Sequence, residues 1–156
     1  MKLAEALIRR ADLQKRLEVL KTRINSNLII QEGMEPAENP KLLIDEFMQL
    51  QEELETYIKR INKTNNISMF DKENTIADII AHRDILMEKR NLLYNIVKNG
   101  SELTDRYSTS EIRNIGTVDV KAIQKEADRI SKEYRELDIL LQGKNWEIDL
   151  MEIDLI

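Results

Sequence analysis

The chain has 156 residues, a formal net charge of −5 and no cysteine. That length suits one domain with a real core. Its cysteine usage excludes disulfides, thiolate nucleophiles and cysteine-ligated zinc, and its acidic balance argues against non-specific nucleic-acid binding. Charged residues make up 34% and aromatic residues 4%, with only four glycines and two prolines, a composition that favours long helices over loops. The opening MKLAEALIRRADLQKR becomes charged too early for a signal peptide. No apolar run approaches the ~20 residues of a membrane span. The chain therefore reads as a cytoplasmic protein with no membrane partner.

A first helix is predicted over Lys2 to Ile30. Leu13, Leu17, Leu20 and Ile24 alternate steps of four and three, a coiled-coil-like seam that continues upstream through Arg10 to Ala6 and Leu3. Arg10 is thus a charge on an apolar line. It either snorkels or pairs at a bundle edge, or it faces a ligand. The connector QEGMEPAENP follows, with Gly33 suited to end the helix in a left-handed turn. Its glutamates, Glu32, Glu35 and Glu38, read as a solvated acidic loop or, in the alternative, as ligands of a hard cation, although EF-hand spacing is missing. Asn39 before Pro40 is a strong helix start.

The second helix is predicted from Pro40 to Lys63, with Leu43, Phe47, Leu50, Leu54, Tyr57 and Ile61 on one face. Asn62, Thr64, Asn65 and Asn66 mark its end. Ile67, Met69 and Phe70 are expected to cover one end of the core. The third helix starts at a Thr75 cap with Asp78 three residues on, and stops at Gly100. Ile76, Ile79, Leu86, Leu93 and Val97 share a seam with Arg83 and Arg90, whose charges need acidic partners or water. Beside them lies His82, the one histidine, which is either a surface or hydrogen-bonded residue or, in the alternative, a catalyst or a ligand in a carboxylate-rich metal site. Ile80, Met87 and Tyr94 add a second apolar line, so this helix is buried on two sides.

The fourth helix is predicted from Val118 to Gln142, on Ile123, Ala127, Ile130, Tyr134, Leu137 and Leu141, with Gly143 as its stop. Asp128 with Lys132, Arg129 with Glu133, and Lys132 with Glu136 are spaced to pair on its outer face. The tail from Asn145 alternates apolar and acidic residues, a period of two that predicts an extended segment. A tail this apolar docks on the bundle or on a neighbouring subunit.

The stretch from Asp105 to Val120 differs from everything else. It gathers Asp105, Arg106, Tyr107, Ser108, Ser110, Glu111, Arg113 and Asp119 within one connector. Ser108 and Glu111 have capping-box spacing, and Thr117 can cap the fourth helix with Asp119 in its first turn. Arginines and capped helix starts are also the parts of an anion or small-molecule pocket. No nucleophile–base–orienter set, P-loop or GxGxxG is present, so catalysis has no positive support.

MKLAEALIRRADLQKR, QEGMEPAENP, RINKTN and LTDRYSTSEIRNIGTVDV, in that order, resemble the septicolysin-like family of small bacterial proteins. The resemblance implies an all-helical, oligomeric protein, and a cytolysin by the family's name. It also marks Asp105, Arg106, Tyr107, Ser108, Ser110, Glu111 and Arg113 as a recurrent motif.

The sequence therefore predicts an all-α fold: an antiparallel bundle of three to four long helices, a short polar helix or turn, and an extended tail. Residues 1–145 form the bundle domain and residues 146–156 the docking tail. The expected function is that of a cytoplasmic homo-oligomer with a structural or interaction role, needing no cofactor or metal. The alternatives are a small-molecule or anion-binding protein with its pocket around residues 105–119 and, from the family resemblance alone, a cytolysin.

Overall fold

The computed structural model describes residues 1–101 and 114–153. The chain is all-α, with four long helices: α1 (Leu3–Ser26), α2 (Pro40–Ile67), α3 (Ile76–Ser101) and α4 (Val120–Glu147). It divides into two compact units, Met1–Met69 with Gly143–Ile156, and Phe70–Gln142.

The first unit is an antiparallel helical hairpin. Leu13, Leu17 and Leu20 of α1 pack on Leu43, Leu50 and Leu54 of α2, with Ile24, Phe47 and Tyr57 beside them. These are the positions at steps of three and four, which turn one stripe of each helix towards the other. Ion pairs fix the register at the connector end: Arg16 with Glu46 at 3.5 Å, and Arg23 with Glu38 through two hydrogen bonds, one of 3.0 Å from Nε. The Arg23 guanidinium holds the Glu38 carboxyl below its ordinary range.

The α1–α2 connector shows why a helix ends where it does. Asn27 donates from Nδ2 to the Arg23 carbonyl at 2.9 Å, and its Oδ1 accepts the Glu38 N–H at 2.9 Å. This buried side chain satisfies both sides of the turn, so α1 stops at Ser26 and not at the predicted Ile30. Gly33 does take the left-handed conformation, at φ 82°, but inside the connector and not at the helix end. Asn39 caps α2 as expected, its Oδ1 accepting the Lys41 N–H at 3.0 Å. Arg10 stays half-buried on the seam. Its Nε is buried without a hydrogen-bond partner among the described residues.

At its other end α2 runs four residues past the predicted stop. Thr64 is fully buried, and its Oγ1 donates to the Arg60 carbonyl at 2.8 Å while accepting the Met151 N–H at 3.0 Å. The chain's last described residues come to this end. Leu3 donates to the Ile148 carbonyl and Leu150 to the Met1 carbonyl, both at 2.9 Å. Leu150 joins Leu3, Ala6 and Ile61 in a second apolar cluster. Lys2 pairs with Asp149 at 2.9 Å, and the Arg60 Nε donates to the Met151 carbonyl at 3.1 Å. The extended segment starts three residues later than predicted, because Asn145, Trp146 and Glu147 are still helical. Ile67 and Met69, expected over the core, are 55% and 49% exposed.

The second unit pairs α3 with α4. Contacts run from Arg83–Asp138 through Arg90–Tyr134 to Tyr94–Asp128, so one helix descends as the other rises. Both glycine stops fail. Gly100 lies within α3, where an added Cβ would sit 3.2 Å from a Val120 methyl, so the residue permits close approach and does not end the helix. Gly143 lies inside α4. The α3 start follows the sequence: the Asp78 N–H donates to Thr75 Oγ1 at 3.2 Å, and Asp78 Oδ2 accepts the Thr75 N–H at 2.8 Å. Asp78 Oδ2 also accepts the Thr75 hydroxyl at 2.6 Å, and this bond first, then that from the Thr75 N–H, holds the Asp78 carboxyl below the usual aspartate range.

Because the folded-state pKa of Asp78 is depressed, its contribution is present above the unfolded-state value. It disappears as the pH falls through the folded one. Asp78→Ala therefore lowers the melting temperature at neutral pH, and the gap to the wild type closes as the solution is acidified through the aspartate range. Thr64→Val leaves the Met151 N–H without an acceptor. It is expected to destabilise the chain by about 1–3 kcal/mol and to raise hydrogen exchange at Leu150 and Met151 first.

Candidate functional site

Of the polar residues singled out above, Asp105, Arg106, Tyr107, Ser108, Ser110, Glu111 and Arg113 lie outside the described residues. Asp119 is described, and it sits at the start of α4. Its Oδ1 accepts the Ala122 N–H at 3.0 Å and its carbonyl accepts the Ile123 N–H at 3.0 Å. Asp119, and not Thr117, is therefore the N-cap of α4, which starts two residues after the predicted Val118.

Polar chemistry gathers in a ladder between α3 and α4. Arg83 reaches Asp84 at 2.9 Å and Asp138 at 3.3 Å, the acidic partners its seam position demands. Arg90 solves the same problem differently. Its guanidinium lies over the Tyr134 ring, 4.9 Å from the centroid, where the ring quadrupole attracts the cation. The Tyr94 hydroxyl lies 3.2 Å from Asp128 Oδ1 and 3.1 Å from the buried Ser131 Oγ. With its single proton donated to the carboxylate, the phenol oxygen accepts from serine. Asp128 is thereby taken from the predicted Lys132 pair, whereas Arg129–Glu133 and Lys132–Glu136 form at 3.2 and 3.8 Å. His82 Nε2 is 3.8 Å from a Glu133 oxygen, with both side chains substantially exposed. Every member of this ladder has a partner, which is what a register-fixing network requires. Among the described residues no group of three or more His, Asp or Glu side chains is placed to hold a metal ion.

The unexplained feature is apolar and belongs to the first unit. Connector residues Leu28, Ile29 and Met34 are 56%, 89% and 61% exposed. On α2, Ile44, Met48 and Ile58 form an exposed line beside the core seam. Met48 and Ile58 line a shallow groove of about 440 Å³ with Gln51, Glu52, Leu54 and Glu55. A smaller groove, of about 220 Å³, lies between the helices, lined by Lys15, Arg16, Val19, Leu20, Arg23 and Glu46. Both are open troughs suited to a side-chain surface more than to an enclosed small molecule. Sequence reasoning looked to the polar stretch. The signal for this surface was present in the Leu28–Ile30 run, which reads as helix continuation until Asn27 ends the helix.

A family model matches residues 10–150. The chain belongs to a family of unknown function, DUF6847. This overturns the resemblance to septicolysin-like proteins, and the cytolytic reading that rested on it falls too. The four quoted segments are short local strings, which carry less information than a match along nine-tenths of the chain. A functionally unknown conserved protein from Corynebacterium diphtheriae, known from a crystal structure, is 38% identical to this chain. The two superpose with a TM-score of 0.92 over 97% of this chain and 99% of the other. No curated protein matches. Among the described residues no helix is long and apolar enough to cross a membrane.

Tyr94→Phe removes a partner from buried Ser131. It is expected to lower stability by about 1 kcal/mol in denaturant titration, and Ser131→Ala in the same background is expected to cost less than it does alone.

Proposed function

We propose that this protein is a cytoplasmic interaction module that works as a homo-oligomer, with a structural role and not a catalytic one. One observation carries the proposal: the apolar connector of the α1–α2 hairpin, where Ile29 is 89% exposed and Leu28 and Met34 are more than half exposed. Isolated apolar residues on a surface need no explanation, but a contiguous patch does. Several such side chains in one short connector are unfavourable in water and favourable in a protein–protein contact. The connector is fastened at both ends by Asn27 and by Arg23–Glu38, which lowers the entropic cost of ordering it in a contact.

Native mass spectrometry and sedimentation of the intact protein test this reading. The expected result is a defined multiple of the 18.3 kDa chain at micromolar concentration. Ile29→Ser should shift the population towards the single chain without lowering the helix content. A single chain at every concentration up to about 100 µM, weaker than typical specific interfaces, would sink the proposal.

A further inference from the structure

The first unit carries its charges unevenly. Helix α1 has six cationic residues against three acids, and the connector at residues 27–39 has three acids and no base. Some of this is neutralised within the hairpin, by Arg16–Glu46 and Arg23–Glu38. Arg9 and Lys15 of α1 form no ion pair among the described residues, and neither do Glu32 and Glu35 of the connector. Within one chain they cannot all meet. Arg9 is about 25 Å from the α1 C-terminus at ~1.5 Å rise per residue, and the acids lie beyond that end.

Apolar residues follow the same line. Ile8, Asp12, Lys15 and Val19 succeed one another at steps of four, three and four, which places them on one stripe of α1. Ile8 and Val19 on this stripe are 53% and 58% exposed. The stripe flanks the core seam, and Lys15 and Val19 also line the small groove between the helices. It leads from Arg9 and Lys15 towards the apolar, acidic connector.

We propose that this stripe and the connector form one self-complementary surface, occupied by a second copy of the chain running antiparallel to the first. A two-fold contact brings the same two patches together twice. The connector of each copy then lies beside the start of the other's α1, setting Glu32 and Glu35 against Arg9 and Lys15, and Ile29 against Ile8. Val19 lies midway between Arg9 and the connector, so it falls at the two-fold axis and faces its own counterpart. In this register Arg16 lies level with the partner's Thr22 and Arg23 with the partner's Lys15, and both arginines are already neutralised inside their own hairpins. Ile8, Val19, Leu28, Ile29, Ile30 and Met34 are each about half exposed or more, which together offers on the order of 600 Å² of apolar surface. With the flanking charges it reaches the ~800 Å² per partner of a standard stable interface. The acidic connector disfavours an anionic membrane surface as the occupant of the same patch.

This inference rests on the homo-oligomer reading, and its test separates the two. The chain has no cysteine, so single cysteines can be introduced without background. Val19→Cys, in the full chain under mild oxidation, is expected to give a disulfide-linked dimer. Gln51→Cys, on the exposed line of α2, is expected to stay unlinked. Glu32→Lys with Glu35→Lys should weaken the dimer at least tenfold at low salt. Adding Arg9→Glu and Lys15→Glu to that variant should restore it, an outcome that misfolding would not produce. Selective linking at position 51, or an unchanged dimer in the charge-reversed variant, would overturn the assigned surface while leaving the oligomer intact. A single chain by native mass in the unmodified protein would overturn both.

Discussion

The two ends of the chain are fastened to each other, and the first unit depends on that closure. The hydrogen bonds from Leu3 to Ile148 and from Leu150 to Met1 join residues almost a full chain length apart. A two-helix hairpin alone buries only one stripe of each helix and leaves the ends of both open. The returning segment covers those ends. It adds Leu150 to Leu3, Ala6 and Ile61, each 1% exposed or less, and gives Thr64 the N–H that its buried hydroxyl accepts. It also explains the length of α2. Asn62, Asn65 and Asn66 are poor helix formers. The helix continues through them because Thr64, Arg60 and Lys63 are needed on that face to receive the segment.

Charge is handled differently in the two units. Between α3 and α4 each seam cation meets a specific partner, Arg83 two carboxylates and Arg90 an aromatic face, and Tyr94 ties Asp128 to buried Ser131. Exposed ion pairs such as Arg129–Glu133 add little energy each, so the value of the ladder lies in register. In the first unit the pairs at the connector end are satisfied, whereas Arg9, Lys15, Glu32 and Glu35 are left without ion-pair partners among the described residues. The proposed contact follows from that imbalance, combined with exposed apolar surface on the same hairpin.

Much of the fold was legible in the residues. The four apolar seams set four helices, since only a 3.6-residue repeat turns Leu13, Leu17 and Leu20, or Ala127, Ile130 and Leu141, to one side. The caps Asn39 and Thr75 were legible because side-chain capping is a local interaction of adjacent residues. Helix ends set by glycine were misread at Gly33, Gly100 and Gly143. Glycine only permits a stop, and whether it is used depends on what the neighbouring backbone meets. The seven candidate site residues from Asp105 to Arg113 lie outside the described residues, and Asp119, expected in the first turn of α4, is its N-cap.

The sequence by itself determined the all-α class, the core faces and two of the helix starts, because each of these follows from periodicity or from contacts between near neighbours. Tertiary structure decided the rest. It ended α1 at Asn27 through a bond to Glu38 across the connector, extended α2 to meet residues 150–152, and exposed Leu28–Ile30, which a longer helix would have carried onward. Periodicity specifies which side of a helix is apolar. It does not specify which segment covers that side, because apolar burial has no direction and any complementary surface lowers the free energy alike.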